Sequence, residues 1–209
     1  MTDVGKRTSD WKDGFLFLGN HLALDFLNTR PVQNGEAQEL FPDFDALLRW
    51  FRAAELLSAH DVSALQKTWG KSARAQQVLE ELRRFREDLR KEVLSVEAGA
   101  KLHRTTTEKL NTLLAAHPMI ATVTHTENGL QMDLSLVANK PEDLFAPLAQ
   151  GAAELFTKAD RSRLRKCGQC VLHFLDTSKK GTRRWCSMQL CGNRLKVAAY
   201  ARRKRHADE

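Results

Sequence analysis

The sequence lacks a long apolar run, and it has no cysteine before position 167. Without 18 consecutive apolar residues, no segment is predicted to span a membrane. The polar stretch from Met1 to Lys12 also lacks the apolar core of a secretory signal. We therefore expect a cytoplasmic protein whose thiols stay reduced.

Catalytic motifs are missing as well. Residues 1–157 contain no phosphate-binding loop, no nucleophile elbow and no paired-carboxylate site. The sequence therefore predicts that the protein is not an enzyme. Outside the N-terminal region, the histidines are scattered without evident partners and are expected at the surface or in turns: His60, His103, His117, His125, His173 and His206.

What the sequence does contain is a close group of cysteines. Cys167 and Cys170 form one pair, and Cys186 and Cys191 form a second pair after a spacer of hairpin length. Two such pairs are typical of a tetrahedral Zn²⁺ site, and four thiolates leave no open coordination position. The pattern predicts a structural zinc ion; the alternatives are two disulfides or four buried free thiols.

The charge is distributed unevenly along the chain. Residues 158–209 carry 15 Lys or Arg against 4 Asp or Glu, which gives +11, whereas the whole chain has a net charge of +7. Residues 1–157 are therefore net acidic, at −4. A basic segment of this size indicates an affinity for phosphate, although a merely solvated tail is the alternative.

Residues 1–157 are predicted to be mainly α-helical. Apolar residues at helical spacing predict helices over 43–51, 61–69, 72–97, 105–117 and 141–156. Asp43 is expected to cap the first of these, and Thr105 with Glu108 to form a capping box. Residues 1–13 are expected to be an unstructured lead, followed by a short apolar strand over 15–18.

One β-hairpin interrupts these helices. Asn128-Gly129 separates two extended segments, over 119–126 and 130–138, which is a strong hairpin signal. In the second segment Leu130, Met132, Leu134 and Leu136 alternate with polar residues, so one face of the hairpin is predicted to be buried. The fold class is thus mainly α with a small β-hairpin, an α+β N-terminal part.

A polar group lies in the apolar segment over 19–29. A short helix there would place His21, Asp25 and Asn28 on one face. Such residues can cap a turn and satisfy buried backbone groups, line a ligand pocket, or supply a general base with its partner. We predict a ligand pocket touched by Asn20, Asp25 and Asn28.

The cysteine-containing end is predicted to be a zinc-stabilised hairpin followed by a helix. Residues 171–175 and 183–185 read as its two strands, and the polar stretch over 157–166 reads as a hinge before it. This is a treble-clef-like arrangement, in which metal replaces the core that about 40 residues cannot build. The basic residues of the terminal helix are predicted to contact DNA: Arg194, Lys196, Arg202, Arg203, Lys204 and Arg205.

Two motifs resemble those of a known family. Cys191-Gly192-Asn193-Arg194, preceded by Trp185-Cys186-Ser187 and by Cys167-x-x-Cys170, is similar to the CGNR zinc finger. The segment with Ala23-Leu24-Asp25 and Asn28-Thr29 resembles the start of the ABATE domain. The resemblance implies a bacterial, stress-related transcription regulator, in which an ABATE-like helical domain over 1–157 senses a small effector and a CGNR finger over 158–209 binds DNA.

The sequence is compatible with three classes of function. The basic terminal segment favours a DNA-binding regulator, and specificity from one small module is modest, so a homodimer is expected at a specific site. The alternative is a zinc-stabilised module that binds protein or RNA without sequence-specific DNA binding. An enzyme is the third class, and the absence of a nucleophile, a base or an open metal position argues against it.

Overall fold

A computed structural model of the chain describes residues 10–33, 35–127 and 129–192. Within them the helices are α1 (Leu22–Leu27), α2 (Phe44–Ala53), α3 (Ala59–Trp69), α4 (Ala73–Glu97), α5 (Arg104–Ala116) and α6 (Phe145–Thr157). The strands are β1 (Trp11–Lys12), β2 (Phe15–Leu16), β3 (Val32–Gln33), β4 (Glu36–Ala37), β5 (Ile120–Thr126), β6 (Gly129–Ser135), β7 (Leu164–Lys166) and β8 (His173–Leu175). Consecutive strands pair as four antiparallel two-stranded sheets. This is the predicted fold class.

The helices enclose one apolar core. Trp50 is fully buried at its centre and contacts the rings of Phe17, Phe26, Phe41 and Phe51. The short helix α1 is buried on nearly all sides and packs against α4 and α6. Its position is what connects the helical core to the C-terminal part of the chain.

Helices α2 and α4 start where predicted, and a side chain caps the first turn of each. Helix α3 starts at Ala59, two residues before the predicted position 61, because Ser58 and Asp61 form a capping box there. Asp43 accepts a hydrogen bond from the Ala46 amide at 2.7 Å, and Ser72 does the same for Ala75 at 3.1 Å. The predicted capping box of Thr105 with Glu108 is wrong. Helix α5 begins one residue earlier, at Arg104, because Glu92 of α4 holds the preceding residue, His103.

The predicted hairpin is present, but the predicted burial of its apolar face is wrong. Strands β5 and β6 pair over their full length, from Ile120↔Ser135 to Thr126↔Gly129. Leu130 and Met132 are 68% and 69% exposed, and Leu134 is 47% exposed. Of the predicted face, Leu136, just after β6, is partly buried against the helical core, whereas nothing in the described part of the chain covers the side chains within the strands.

The N-terminal lead and the hinge are both more ordered than predicted. Trp11 and Lys12 pair with β2, so structure begins before residue 15; residues 1–9 lie outside the described part. In the predicted hinge, Leu164 is 3% exposed in the main core and starts strand β7. The junction is therefore packed against the helices.

The pairing of strands in the C-terminal part also differs from the prediction. Strand β8 pairs with β7, upstream of the first cysteine pair, with Leu164 opposite Leu175. Residues 183–185 form no strand; the Arg184 carbonyl accepts a single hydrogen bond from the Gly168 amide at 3.0 Å.

No helix within the described residues is long and apolar enough to cross a membrane.

Candidate metal centre

The four cysteines come from two turns that face each other. Cys167 directly follows β7, and its amide donates to the Leu172 carbonyl at 2.8 Å, which closes the turn that carries Cys170. Cys191 lies in the short π-helical turn Met188–Gly192. The Ser187 hydroxyl accepts hydrogen bonds from the first amides of that turn, and Ser187 itself follows Cys186.

The sulfur atoms form one compact cluster. All four lie within 4.8 Å of one another, and Cys186 Sγ is 3.6 Å from the Sγ atoms of both Cys170 and Cys191. Sulfurs held at ~2.3 Å around one zinc ion lie about 3.8 Å apart, so the cluster fits the metal. A disulfide needs an S–S distance of ~2.05 Å, and all four thiols are free. The protein therefore has a structural Zn²⁺ site, and these four cysteines form a cluster that could hold the ion.

The charges of the cluster show why it needs a cation. Hydrogen bonds from Cys170 and Cys186 lower the pKa of the Cys167 thiol. For Cys170, the hydrogen bond with Cys167 raises the pKa to about 12. Hydrogen bonds with Cys167 and Cys170 raise the pKa of Cys186, and burial raises the pKa of Cys191. One thiolate suppresses the ionisation of its neighbours, so four thiolates require a divalent cation between them.

Trp185 packs over the two turns. A Cβ atom at Gly168 would lie 2.9 Å from its ring, and one at Gly192 would lie 3.4 Å from it. The two glycines therefore allow the indole to approach both turns closely. Arg183 supports this arrangement by donating to the Trp185 and Cys186 carbonyls and by stacking on Phe174, with 4.6 Å between the guanidinium carbon and the ring centroid.

Asp176 organises the loop between the cysteine pairs, a role that the sequence analysis missed. Its carboxylate accepts from the amides of Ser178 at 2.9 Å and Arg183 at 2.8 Å. Burial opposes ionisation, but these hydrogen bonds outweigh it and lower the Asp176 pKa. An Asp followed two residues later by Ser, at the start of a polar turn, was the available signal.

The predicted ligand-binding residues lie where α1 meets β8. The Asn28 amide group is fully buried and bonds the His173 backbone twice, donating to its carbonyl at 2.8 Å and accepting from its amide at 2.9 Å. Asn20 donates to the Leu175 carbonyl at 2.9 Å, and the Leu175 amide donates to the Gly19 carbonyl at 2.8 Å. Asp25 accepts from the Gly19 amide at 2.7 Å. These hydrogen bonds therefore agree with the alternative in which Asn20, Asp25 and Asn28 satisfy buried backbone groups.

His173 is not the surface residue that the sequence predicted. It is 1% exposed, and its Nε2 lies 3.7 Å from Glu97 at the end of α4. Burial lowers its pKa to about 4, with the charges of Arg90 and Lys166 acting in the same direction. The neutral ring fills the space between the finger and the helices.

Residues 15–18 connect the helical core to the cysteine cluster, because their side chains point alternately into one and the other. Phe15 and Phe17 point into the helical core, whereas Leu16 and Leu18 pack with Phe174 and the cysteines. Successive side chains of an extended segment point in opposite directions, so one short run serves two clusters. The metal centre is therefore built from both ends of the chain.

The predicted DNA contacts lie outside the described residues: Arg194, Lys196, Arg202, Arg203, Lys204 and Arg205. The described part of the basic segment nevertheless exposes cations around the metal centre, at Arg161, Lys166, Lys179, Lys180 and Arg184. Within that part, none of these five side chains forms an ion pair with a carboxylate.

The described residues also form two surface clefts along α4. One, of about 430 Å³, is lined by alternating charges that include Arg30, Arg83 and Glu87. The other, of about 250 Å³, lies between α4 and α5 beside Phe85 and Leu110. Asn20, Asp25 and Asn28 line neither cleft.

The fold and this centre define a zinc-finger protein with a helical N-terminal part. The model of the ABATE family, described as "Putative stress-induced transcription regulator", matches residues 20–159, and the CGNR zinc finger model matches residues 163–204. The chain therefore belongs to the ABATE family and carries a CGNR zinc finger, as its motifs predicted. Neither family is described as enzymatic. No curated protein matches the sequence.

Proposed function

We propose that this protein is a cytoplasmic transcription regulator whose zinc finger binds duplex DNA, mainly through phosphates. The observation that carries the proposal is the concentration of charge, since residues 158–209 hold +11 and the remainder is net negative. Phosphate contacts supply most of the affinity of a non-specific DNA complex. The family description supports a regulatory role.

The exposed cations of the finger extend this basic surface. Lys179 and Lys180 lie on the loop between the cysteine pairs, and Arg184 stacks on Trp185 at 5.2 Å from the ring centroid. Because these groups have no carboxylate partner in the described part of the chain, binding a phosphate breaks no ion pair among the described residues. They join the predicted contacts Arg194, Lys196 and 202–205 as candidate DNA-binding residues.

A small effector is the second element of the proposal. Asn20, Asp25 and Asn28 lie at the contact between α1 and β8. A ligand that engaged these groups would compete with the finger for them and so alter its attachment. Native mass spectrometry of the freshly purified chain, with and without Asp25→Ala, tests for a bound compound.

The test of DNA binding is a salt titration with the zinc-loaded full chain. We expect the logarithm of the affinity to fall with the logarithm of salt by ~0.9 per phosphate neutralised. Replacing Arg202, Arg203 and Arg205 by Ala should weaken binding to all duplexes alike, and the slope should become shallower by up to ~0.9 for each arginine that neutralises a phosphate. A control that removes three exposed cations from the helical part, Lys67, Lys71 and Lys101, should change neither.

The alternative is a docking module for protein or RNA. A full chain with zinc bound that shows no affinity for duplex DNA at low salt would overturn the proposal. Tighter binding to single-stranded RNA than to duplex DNA at equal salt would assign the basic segment to RNA instead.

A further inference from the structure

The β5–β6 hairpin has two unlike faces. The cross-strand pairs Ala121↔Leu134, Val123↔Met132 and His125↔Leu130 place six residues on one face, which we call the apolar hairpin face. The opposite face carries three threonines, Gln131, Asp133 and Ser135, with Ile120 as its one large apolar side chain. On it the Thr124 and Gln131 side chains bond the Asp133 carboxylate at 3.2 and 2.5 Å. That polar face suits water, whereas the apolar face does not.

Exposed apolar side chains concentrate on this hairpin. Of the ten large apolar side chains exposed in the described part of the chain, four lie on the apolar hairpin face: Val123, Leu130, Met132 and Leu134. The three most exposed are Val123, Leu130 and Met132, at 66%, 68% and 69%. A continuous apolar patch of this kind marks an interaction site, and a lone two-stranded hairpin is only marginally stable without a partner.

We propose that the apolar hairpin face is a dimer interface, on which the same face of a second copy of this chain packs. The six residues include no Asp, Glu, Lys or Arg. Apart from His125, the face therefore has no ionisable side chain with which to select an acidic or basic partner, and it has no carboxylate to hold the chain's own basic C-terminal segment. A face without Asp, Glu, Lys or Arg can pack on itself across a two-fold axis.

The area of the face predicts a weak dimer. A buried Val, Leu or Met side chain covers on the order of 100 Å². At their exposed fractions, Val123, Leu130, Met132 and Leu134 offer roughly 250 Å² per copy. Since ~65% of a homodimer interface is apolar, two copies would bury about 800 Å² in total, below the ~1,200 Å² of a stable complex. The dimer should thus be weak and concentration-dependent, and it requires no DNA.

Sedimentation velocity of the zinc-loaded full chain over the micromolar range tests the interface. We expect a concentration-dependent shift from the 23.7 kDa monomer to a species of twice that mass. Met132→Lys should raise the midpoint concentration at least tenfold, because each copy then brings a charge into the apolar contact. The matched control is Gln131→Lys, which adds the same charge one residue away on the polar face and should leave the midpoint unchanged.

Each contrary result overturns the proposal. A chain that stays monomeric at high micromolar concentration has no such interface, and a dimer that survives Met132→Lys forms elsewhere. Equal weakening in both variants would assign the contact to the hairpin as a whole, not to its apolar face. Dimerisation only after deletion of residues 193–209 would mean that the C-terminal segment covers the face. If Met132→Lys fails to fold, Val123→Thr keeps the strand propensity and should weaken the dimer in the same direction.

Discussion

Gly19 is a single residue on which both parts of the molecule depend. A Cβ atom there would lie 2.7 Å from Leu24 Cβ and 2.8 Å from the Asp25 nitrogen. Its amide donates to the Asp25 carboxylate, and its carbonyl accepts from Leu175 of β8. The backbone of α1 leaves no space for a side chain at this position, because it is fixed by its own hydrogen bonds.

We expect Gly19→Ala to lower the free energy of unfolding by about 1–3 kcal/mol, since the helix start must shift to relieve the contact. The control is Gly151→Ala, inside α6, where the nearest atoms lie at 3.5 Å. That change should stabilise the protein by ~0.5–1 kcal/mol through helix propensity. Denaturant unfolding measures both, and effects of the same sign would contradict the role given to Gly19.

Arg86 and Glu39 give a second prediction at this scale. Arg86 is 1% exposed and bonds both carboxylate oxygens of Glu39. Burial alone would raise the pKa of Glu39, but the hydrogen bond and charge of Arg86 outweigh it and lower the pKa below its ordinary value of 4.5. A lowered pKa stabilises the fold above the unfolded value, and this stabilisation is lost as the pH falls through the folded value.

Glu39→Gln should therefore cost about 1–3 kcal/mol at neutral pH, because it leaves the buried guanidinium with Glu87 as its remaining carboxylate partner. The difference from the native chain should shrink as the pH falls below 4.5, because the native carboxylate then becomes protonated too. Loss of zinc in acid affects both proteins and cancels in the comparison. A difference that stays constant from pH 7 to pH 3 would show that the charge of Glu39 is irrelevant.

At the scale of elements, α1 and β8 are joined by side chains that bond backbone. We expect Asn28→Ala to lower the free energy of unfolding by roughly 2–4 kcal/mol, because it leaves a buried amide and a buried carbonyl of His173 unpaired. Hydrogen exchange at His173 and Leu175 should accelerate in this variant. Asn111→Ala on the exposed surface of α5 is the control and should change little. Unchanged exchange in β8 would remove Asn28 from this role.

The elements also show what local sequence can predict. The cysteine spacing, the Asn-Gly hairpin signal and the Asp43 cap are signals within a few residues, and the sulfur cluster, the β5–β6 pairing and the start of α2 agree with them. The contact of Asn28 with His173 spans 145 positions, so no local pattern could have revealed it. The alternation of β6 indicated an apolar face correctly, but periodicity cannot tell whether the rest of the chain covers that face.

At the scale of the whole molecule, the metal centre and the helical core share their boundary. Leu16 and Leu18 belong to the cysteine cluster. Leu164 belongs to the core of the helices, and the partly buried Leu175 packs against that core. The finger is therefore attached on two sides, by residues 15–18 and by α1. An isolated fragment from residue 158 onward would lack these partners, so tests of the finger need the full chain.

This shared boundary predicts that zinc stabilises the helical part as well as the finger. A ligand bound only to the folded state adds ~2.7 kcal/mol when present at a hundredfold excess over its dissociation constant. Chelation should therefore lower the melting temperature reported by the helical far-ultraviolet signal. It should also speed hydrogen exchange in α1 and over 15–18, while most helical signal remains at low temperature.

Cys191→Ser provides the control for this experiment. It should reproduce the effect of chelation, and the chelator should then have no further effect on the variant, since the tetrahedral site already lacks one ligand. If the helices melt at the same temperature with and without zinc, the finger unfolds by itself. Leu16 and Leu18 then do not couple zinc binding to the stability of the helices. Metal analysis giving one zinc per native chain and less in the variant is required for either outcome, because it shows that the four cysteines are the site being emptied.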